Sequence, residues 1–495
     1  MNSRTPSPSQ SPDSARRDSG RRRPVAALAA ALATVALCSC LGNSGNQAPA
    51  PEGVRVYGGD ASISVTWPYN PAVDYWVFHA QDPTLSIAGN WTQLLNAGVL
   101  VHATSPAIIC GQINNPDWDS LFPETYFTVN GRTGSSPGGN GSSLVATFPR
   151  PAGGPNATWV PAGQSIPVAV DAIGYAGTTN CGYSGRPASG IFVAVGPSGA
   201  VYSATLAPTV AGPLTLSQGN SPLTWVQANV PAGFNADLAG VAGYSYASAT
   251  IGVANVLFVA VGKGGAILRS ADGQNWQQVF GVPTTANLNA VATAGSTFIA
   301  VGDAGTVLTS ADGLTWSINT SAEAASANTL NAIHCVSSSC VAVGANGTTL
   351  WTSNGGGNWS LFSVGVNNWT HIAYGNADLN KDAVVSETAT TVTISIANEA
   401  INTWLVADAF GSYAVANSTG AWTTAATPIA GSVVAVDYTT QFVALDGAGN
   451  AYASYNGINN WKLVGASNVL DATAMRSNGA GFVAIGRSGD SASSF

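Results

Sequence analysis

Charge is what this 495-residue sequence has least of. Only 8% of its residues are Asp, Glu, Lys or Arg, against 45% apolar. So little charge cannot cover many long solvent-facing helices. Six of the 16 basic residues (Arg4, Arg16, Arg17, Arg21, Arg22 and Arg23) precede residue 24, with only Asp13 and Asp18 of the 24 acids. The remainder therefore carries a net charge of about −12. That argues against nucleic acid or an anionic membrane surface as a partner, because either needs a basic footprint. Histidine is scarce too. His79, His102, His334 and His371 are the only four, and none sits at metal-ligand spacing with a Cys or another His. No cofactor motif is present, and none is expected to be bound. Long apolar runs are also missing: Pro24 to Leu37 is too short to span a membrane comfortably.

That apolar run follows a basic stretch and ends in Leu37-Cys38-Ser39-Cys40. The four residues resemble a bacterial lipobox, which implies a signal peptide over 1–39 and lipidation at Cys40. With Leu41 and no Asp next to the lipidated residue, the resemblance implies sorting to an outer membrane or the cell surface. The only membrane contact expected is that lipid anchor. Residues 40–50 then read as a Gly/Asn/Ala/Pro tether. Export permits disulfides. Cys335 and Cys340 flank Val-Ser-Ser-Ser between two apolar runs, where a bridge across a hairpin is easy to form. Cys110 with Cys181 is the remaining pair.

Residues 51–152 alternate in short bursts. Ala61-Ser-Ile-Ser-Val-Thr-Trp67 has period two, and strands are expected also at Tyr75–Phe78, Thr125–Gly131 and Ser143–Phe148. Such spacing suits a β-sandwich. With Pro51-Glu-Gly-Val54 at its start, Trp67 on an early strand and Tyr126 with Asn130-Gly131 on a late one, the segment resembles a fibronectin type III domain. Residues 82–122 are long for that family and read as an insertion. No catalytic set is visible here, and His102 stands alone.

Residues 155–495 repeat. A run of the form Phe-x-Ala-Val-Gly, as in Phe298-Ile-Ala-Val-Gly302, recurs seven times, starting at Phe192, Phe258, Phe298, Cys340, Trp404, Phe442 and Phe482. Seven short runs precede these, at Val168–Val170, Leu238–Ala242, Leu288–Ala292, Leu330–Ile333, Thr370–Ala373, Val433–Val436 and Leu470–Ala474. A Trp opens the fourth segment of six units: Trp225, Trp276, Trp316, Trp359, Trp422 and Trp461. The last unit has no Trp, while Thr158-Trp159-Val160 precedes the first with nothing to pair with. The expected architecture is all-β: the sandwich, then a seven-bladed β-propeller closed by the N-terminal strand around Trp159.

The turn Ser270-Ala-Asp-Gly-Gln-Asn-Trp276, repeated at Ser310–Trp316, resembles the Asp-box or BNR repeat of sialidases and many non-enzymatic propellers. In it the Asp accepts backbone N–H groups and the Gly takes a left-handed conformation. Gly355, Ser418 and Asn456 are read as its replacements elsewhere. The propeller as a whole resembles photosystem II assembly and stability factors, which implies a scaffold or assembly fold. In blades one and five, 173–190, 206–223 and 375–402 read as insertions on one rim, with a hairpin strand at Thr391–Ile396.

Function must be weighed from sites. A sialidase needs an arginine cluster and a Tyr/Glu pair, but only Arg186, Arg269, Arg476 and Arg487, with Glu323, Glu387 and Glu399, lie beyond residue 155. Asp378-Leu-Asn380-Lys-Asp382 has calcium-loop spacing at its first three positions, then Ala383 and Ala389 where Gly and Glu belong. A solvated loop fits it better. What remains is a binding surface. The turns between second and third strands carry Lys263, Asp303, Asn346, Asp446 and Arg487 around one channel mouth, and these are the candidate contacts. The reading is a non-catalytic envelope lipoprotein that binds or scaffolds an envelope protein or a glycan. A divergent glycosidase or sialidase-like hydrolase using the channel mouth, and a surface adhesin, are the alternatives.

Overall fold

The computed structural model describes residues 48–87, 91–105, 107–110, 124–132, 141–149, 151–154, 157, 159–177, 190–206, 223–246, 255–378, 384–388, 391–395, 400–417, 421–454, 456–458, 461–479 and 481–494. The signal segment, Cys40, Cys181, Asn380 and Asp382 lie outside them. So do the pairing of Cys110 with Cys181 and most of the calcium-like loop; the backbone of Asp378 ends the strand Trp369–Asp378.

The N-terminal part is two facing sheets. Arg55–Gly59, Ser62–Thr66 and Ala107–Cys110 form one, and Gly98–Ala103, Asp74–Ala80, Thr125–Arg132 and Val145–Thr147 the other. Period-two alternation puts Ile63, Val65, Tyr75, Val77, Phe127 and Val129 into one core between them, with Trp67. The stretch 82–122 contributes a turn at Trp91–Gln93 and two strands of the sheets themselves. His102 is not alone: its Nδ1 lies 2.9 Å from Asp74 Oδ1.

From residue 160 on, the chain forms seven four-stranded antiparallel sheets. Six run through consecutive strands: 172–227, 238–278, 288–318, 330–363, 369–424 and 435–466. In the fifth, the hairpin Val384–Thr388 with Thr391–Ser395 stands between the first and second strands as a separate two-stranded sheet. The seventh takes Ala472–Ser477, Phe482–Gly486 and Ser491–Ser494, and its fourth strand is Val160–Pro161, with Ser493 opposite Val160 and Ala492 opposite Pro161. The first strand of each sheet packs on the first strand of the next, and that of the seventh packs on that of the first. A closed ring of blades around a central channel is a β-propeller.

The recurring text has a physical cause. The seven residues that begin the repeated run within the second strands, from Phe192 to Phe482, are all essentially buried. They and their neighbours fill the space between blades: Val193 and Val195 of blade 1 share a cluster with Leu238, Phe258 and Trp276 of blade 2. The Trp before each fourth strand is the wedge. Trp225, Trp276, Trp316 and Trp359 are 6–7% exposed, and Trp159 is 5% exposed in the cluster between blades 6 and 7. Gly262, Gly302 and Gly344 end their second strands where a Cβ would strike the carbonyl of Asp237, Asn287 or Thr329 at about 2.0 Å.

Two frames read from sequence are corrected. The first strand of blade 1 is Ala172–Gly177, inside the stretch read as an insertion, and Val168–Val170 lies before it. Val170 is fully buried where Leu238 and Leu288 are, so apolar character was a true guide and strand position was not. In blade 7, Ala472 pairs with Gly486 as Leu288 pairs with Gly302, and Leu470 is 65% exposed.

Candidate functional site

An up-and-down blade puts its first-to-second and third-to-fourth turns at one end of the propeller, and its second-to-third turns and blade-to-blade connections at the other. The Asp-boxes belong to the first end. Ser270 Oγ accepts from Gly273 N at 2.8 Å, and Asp272 Oδ1 accepts from Gln274 N and Asn275 N at 2.8 and 2.7 Å. Trp276 Nε1 donates to Gly273 O at 3.1 Å. Burial alone would push the Asp272 carboxyl up, but hydrogen bonds from Asn275, Gln274 and Ser270 outweigh it and hold the pKa below the usual value. In Asp312 the backbone N–H groups of Thr315 and Leu314 lead, with the same result. In blade 4 the part belongs to Asn354, not Gly355: Asn354 Oδ1 accepts from Asn358 N at 3.0 Å, and the turn is one residue longer. All the Asp-box oxygens described here point into their own turn.

The sandwich also meets the propeller at this end. Thr440 Oγ1, in the first-to-second turn of blade 6, donates to Asp60 Oδ1 of the sandwich. Gln441 Nε2 donates to Ala152 O at 3.1 Å, and Gly153 N to Ser494 Oγ at 2.9 Å.

The opposite end holds all five candidate contact residues, and each is engaged. Lys263 Nζ lies 2.7 Å from Asp237 Oδ2, while Asp237 Oδ1 accepts from Ser198 N in the turn of blade 1. Asn287 repeats the arrangement one blade on: its Oδ1 accepts from Gly264 N and its Nδ2 donates to Asp303. Asn346 Nδ2 donates to Asn328 Oδ1, and Arg487 Nη2 reaches Asp171 Oδ1 of blade 1 at 3.3 Å. Asp446 is nearly buried and accepts from Ala448 N, Asn450 N and Asn450 Nδ2 within its own turn. Four of the five thus tie a turn to the segment beside it, and three of these ties, those of Lys263, Asp303 and Arg487, extend to a neighbouring blade. A second row of such ties lies just below. Asn289 donates to Leu330 O, Asn331 to Trp369 O and Thr473 to Val170 O, each in the next blade. His371 Nε2 contacts Val433 O at 3.0 Å, and burial keeps its pKa down at about 4.

The mouth is not uniformly closed. Over blades 5, 6, 7 and 1 it opens into a cavity of about 730 Å³. Its walls include Ala409, Val433, Val434 and Ala472, with Gly447 in the turn of blade 6. Thr370, His371, Asp171, Asp471 and Arg487 supply its polar groups. Of the candidate residues only Arg487 lines it. Asp471 and Thr370 escaped sequence reasoning, although Asp471 holds the place of Asp237, receiving a backbone N–H from the following turn. Deeper in the channel a space of about 60 Å³ is bounded by Tyr175, His334 and Arg476, and burial lowers the His334 pKa to about 4. Cys335, beside it, is joined to Cys340 across the first hairpin of blade 4.

No family model and no curated protein matches the sequence. Among solved structures, the chain is similar to the WD40 β-propeller domain of Doa1, with 12% identity over 68% of this chain and 96% of that one, at a TM-score of 0.43. It is similar to a YCF48 bound to a D1 peptide, with 12% identity over 68% and 94%, at 0.44. YCF48 from Cyanidioschyzon merolae gives 14% identity over 68% and 98%, at 0.43. Likenesses so remote say nothing about ligands, and the ring of blades stands on its own strand pairings.

Proposed function

We propose that this chain is an exported envelope protein, anchored through a lipid on Cys40, that works by binding a partner and not by turnover. In this reading a fibronectin type III-like sandwich carries a propeller whose ring is latched by the strand at Trp159, and the propeller presents its open mouth to the partner. The three-plus-four strand arrangement of the sandwich supports the first part, and the pairing of Val160 with Ser493 supports the second. One observation carries the binding site: the cavity of about 730 Å³ lies at the end opposite the sandwich contacts. A partner can reach that end without displacing the N-terminal domain.

Gly447 offers the test. A Cβ there would have nothing nearer than Val434 Cγ1 at 3.8 Å, so the backbone has room for a side chain and Gly447→Trp is expected to obstruct the cavity. Crosslinking capture from the protein's own envelope should yield a partner with the wild type and lose it with Gly447→Trp. Equal capture by both would remove the mouth as the site. Turnover on a glycan panel, abolished by a single Asp substitution at the mouth, would replace this reading with a hydrolase.

A further inference from the structure

We infer that the mouth cavity receives a Lys or Arg side chain of a partner protein, with an apolar residue of the same segment packed on its rim. The inference rests on the mouth being the binding site. Its starting point is the asymmetry of the ring. In blades 2 to 4, side chains such as Lys263, Asp303 and Asn346 close the turns onto their neighbours. Of the turns of blades 5 and 6, Ala409 and Gly447 line the cavity, and it opens there.

The walls and the polar groups suit different parts of one long basic side chain. Ala409, Val433, Val434 and Ala472 present methyl groups against which a Lys or Arg stem can lie. The Asp471 carboxylate is exposed and has no hydrogen-bond or ion-pair partner among the described residues. Thr370 Oγ1 is buried in the cavity wall and also lacks a partner. Asp171 has Arg487 on one oxygen only.

Charge decides the sign of the ligand. Among the described residues at this end, the two cations, Lys263 and Arg487, already face Asp237 and Asp171. Asp303, Asp408 and Asp446 are held by neutral donors, and Asp471 by none. The surface is therefore net acidic, which steers a basic segment inward and repels an acidic one or a nucleic acid. The rim decides the class. Phe410 is 77% exposed in the turn of blade 5, Leu470 is 65% exposed in the connection to blade 7, and Val366 is 88% exposed in the connection to blade 5. Three large exposed apolar side chains on turns and connections at this end, two of them next in sequence to the cavity-lining Ala409 and Asp471, match a protein segment with a basic residue beside an aliphatic or aromatic one. A glycan would leave Leu470 and Val366 without a counterpart.

Asp471 has φ of 50°, a left-handed conformation that Asn also tolerates, so Asp471→Asn removes the charge without refolding the turn. Random linear peptides displayed on phage are selected on the purified full-length protein, and the winners are measured by fluorescence anisotropy. The expected winners carry Lys or Arg next to an apolar residue. They bind about tenfold more weakly to Asp471→Asn, as loss of one charge-assisted contact implies. Their binding also weakens as salt rises, disappears with Gly447→Trp and survives Lys263→Ala. Winners without a basic residue, or indifferent to Asp471→Asn yet lost with Gly447→Trp, overturn the basic side chain and leave the mouth standing. No winners at all, or winners that bind Gly447→Trp as well as the wild type, overturn the mouth and this inference together.

Discussion

Truncating Trp159 to Ala tests whether the ring is latched from the N-terminus. Trp159 is 5% exposed among Val443, Val469, Met475 and Phe482, in the cluster between blades 6 and 7. Trp276 is 6% exposed in the corresponding cluster between blades 1 and 2. The backbone ladder of the latch is short: two residue pairs, one of them at Pro161, plus the bond from Ala162 N to Ser491 O at 2.8 Å. At about 1 kcal/mol net for each such bond, the ladder offers little. Removing a buried Trp side chain costs about 3–5 kcal/mol, so packing and not pairing must hold the latch. Against a total stability of about 5–15 kcal/mol, that loss is large. Urea unfolding followed by far-UV circular dichroism and by Trp fluorescence should show Trp159→Ala and Trp276→Ala losing comparable stability, although the two sites are far apart in the chain. A wild-type midpoint for Trp159→Ala beside a lowered one for Trp276→Ala would refute the latch.

Other perturbations separate the two ends of the propeller. Asp272→Ala leaves two backbone N–H groups without their acceptor but near water, so it should cost about 1–2 kcal/mol in the same assay. Because the Asp272 and Asp312 carboxyls are held below 3.8, their stabilisation is present above pH 4 and fades as pH falls further. The Asp272→Asn, Asp312→Asn double variant should lose less stability than the wild type across that acid range. His334 and His371 work in a higher window. With folded values near 4 against 6.5 unfolded, they remain neutral in the ring while the unfolded chain takes protons, so stability falls between about pH 6.5 and 4. Each contributes up to about 3 kcal/mol to that fall, less where channel water reaches the ring, and His334→Gln should flatten the profile. Replacing Cys335 and Cys340 with Ser should cost about 2 kcal/mol for so short a loop, read as a lowered midpoint that reductant reproduces in the wild type.

The propeller could be read from sequence because each blade repeats the same packing problem. A buried Phe or its substitute begins the repeated run in every second strand, a Gly ends most of them, and a Trp precedes each fourth strand. The count of seven needs only those residues. The errors came where local pattern does not fix register. In blade 7 the apolar Leu470 suggests a strand start, yet it is 65% exposed and pairing begins at Ala472. In blade 1, Val168 and Val170 alternate as a strand would, yet strand pairing begins at Ala172. The mouth was legible as a place and not as a site. Lys263, Asp303 and Arg487 are polar turn residues, and sequence cannot reveal that Asp237, Asn287 and Asp171 lie beside them. The open part of the mouth is marked by small residues, Ala409 and Gly447, where the turns of blades 2, 3 and 7 carry Lys263, Asp303 and Arg487. A search for charged ring residues passes over that signal.

The two ends of the propeller differ in what their polar groups are free to do. At the Asp-box end, Asp272 and Asp312 satisfy their own turns, and blade 6 and Ser494 carry contacts with the sandwich and its linker. Substituting those carboxylates acts on stability first. At the mouth, blades 2 to 4 are tied by polar side chains, which makes that half a rigid support. The other half keeps an unengaged carboxylate at Asp471 and a buried hydroxyl at Thr370 without a partner. A basic group bound at that half would meet the exposed Asp471 carboxylate, while binding over Lys263 or Asp303 would first have to break ties that hold the ring. That difference is the reason the proposed partner is assigned to blades 5 to 7.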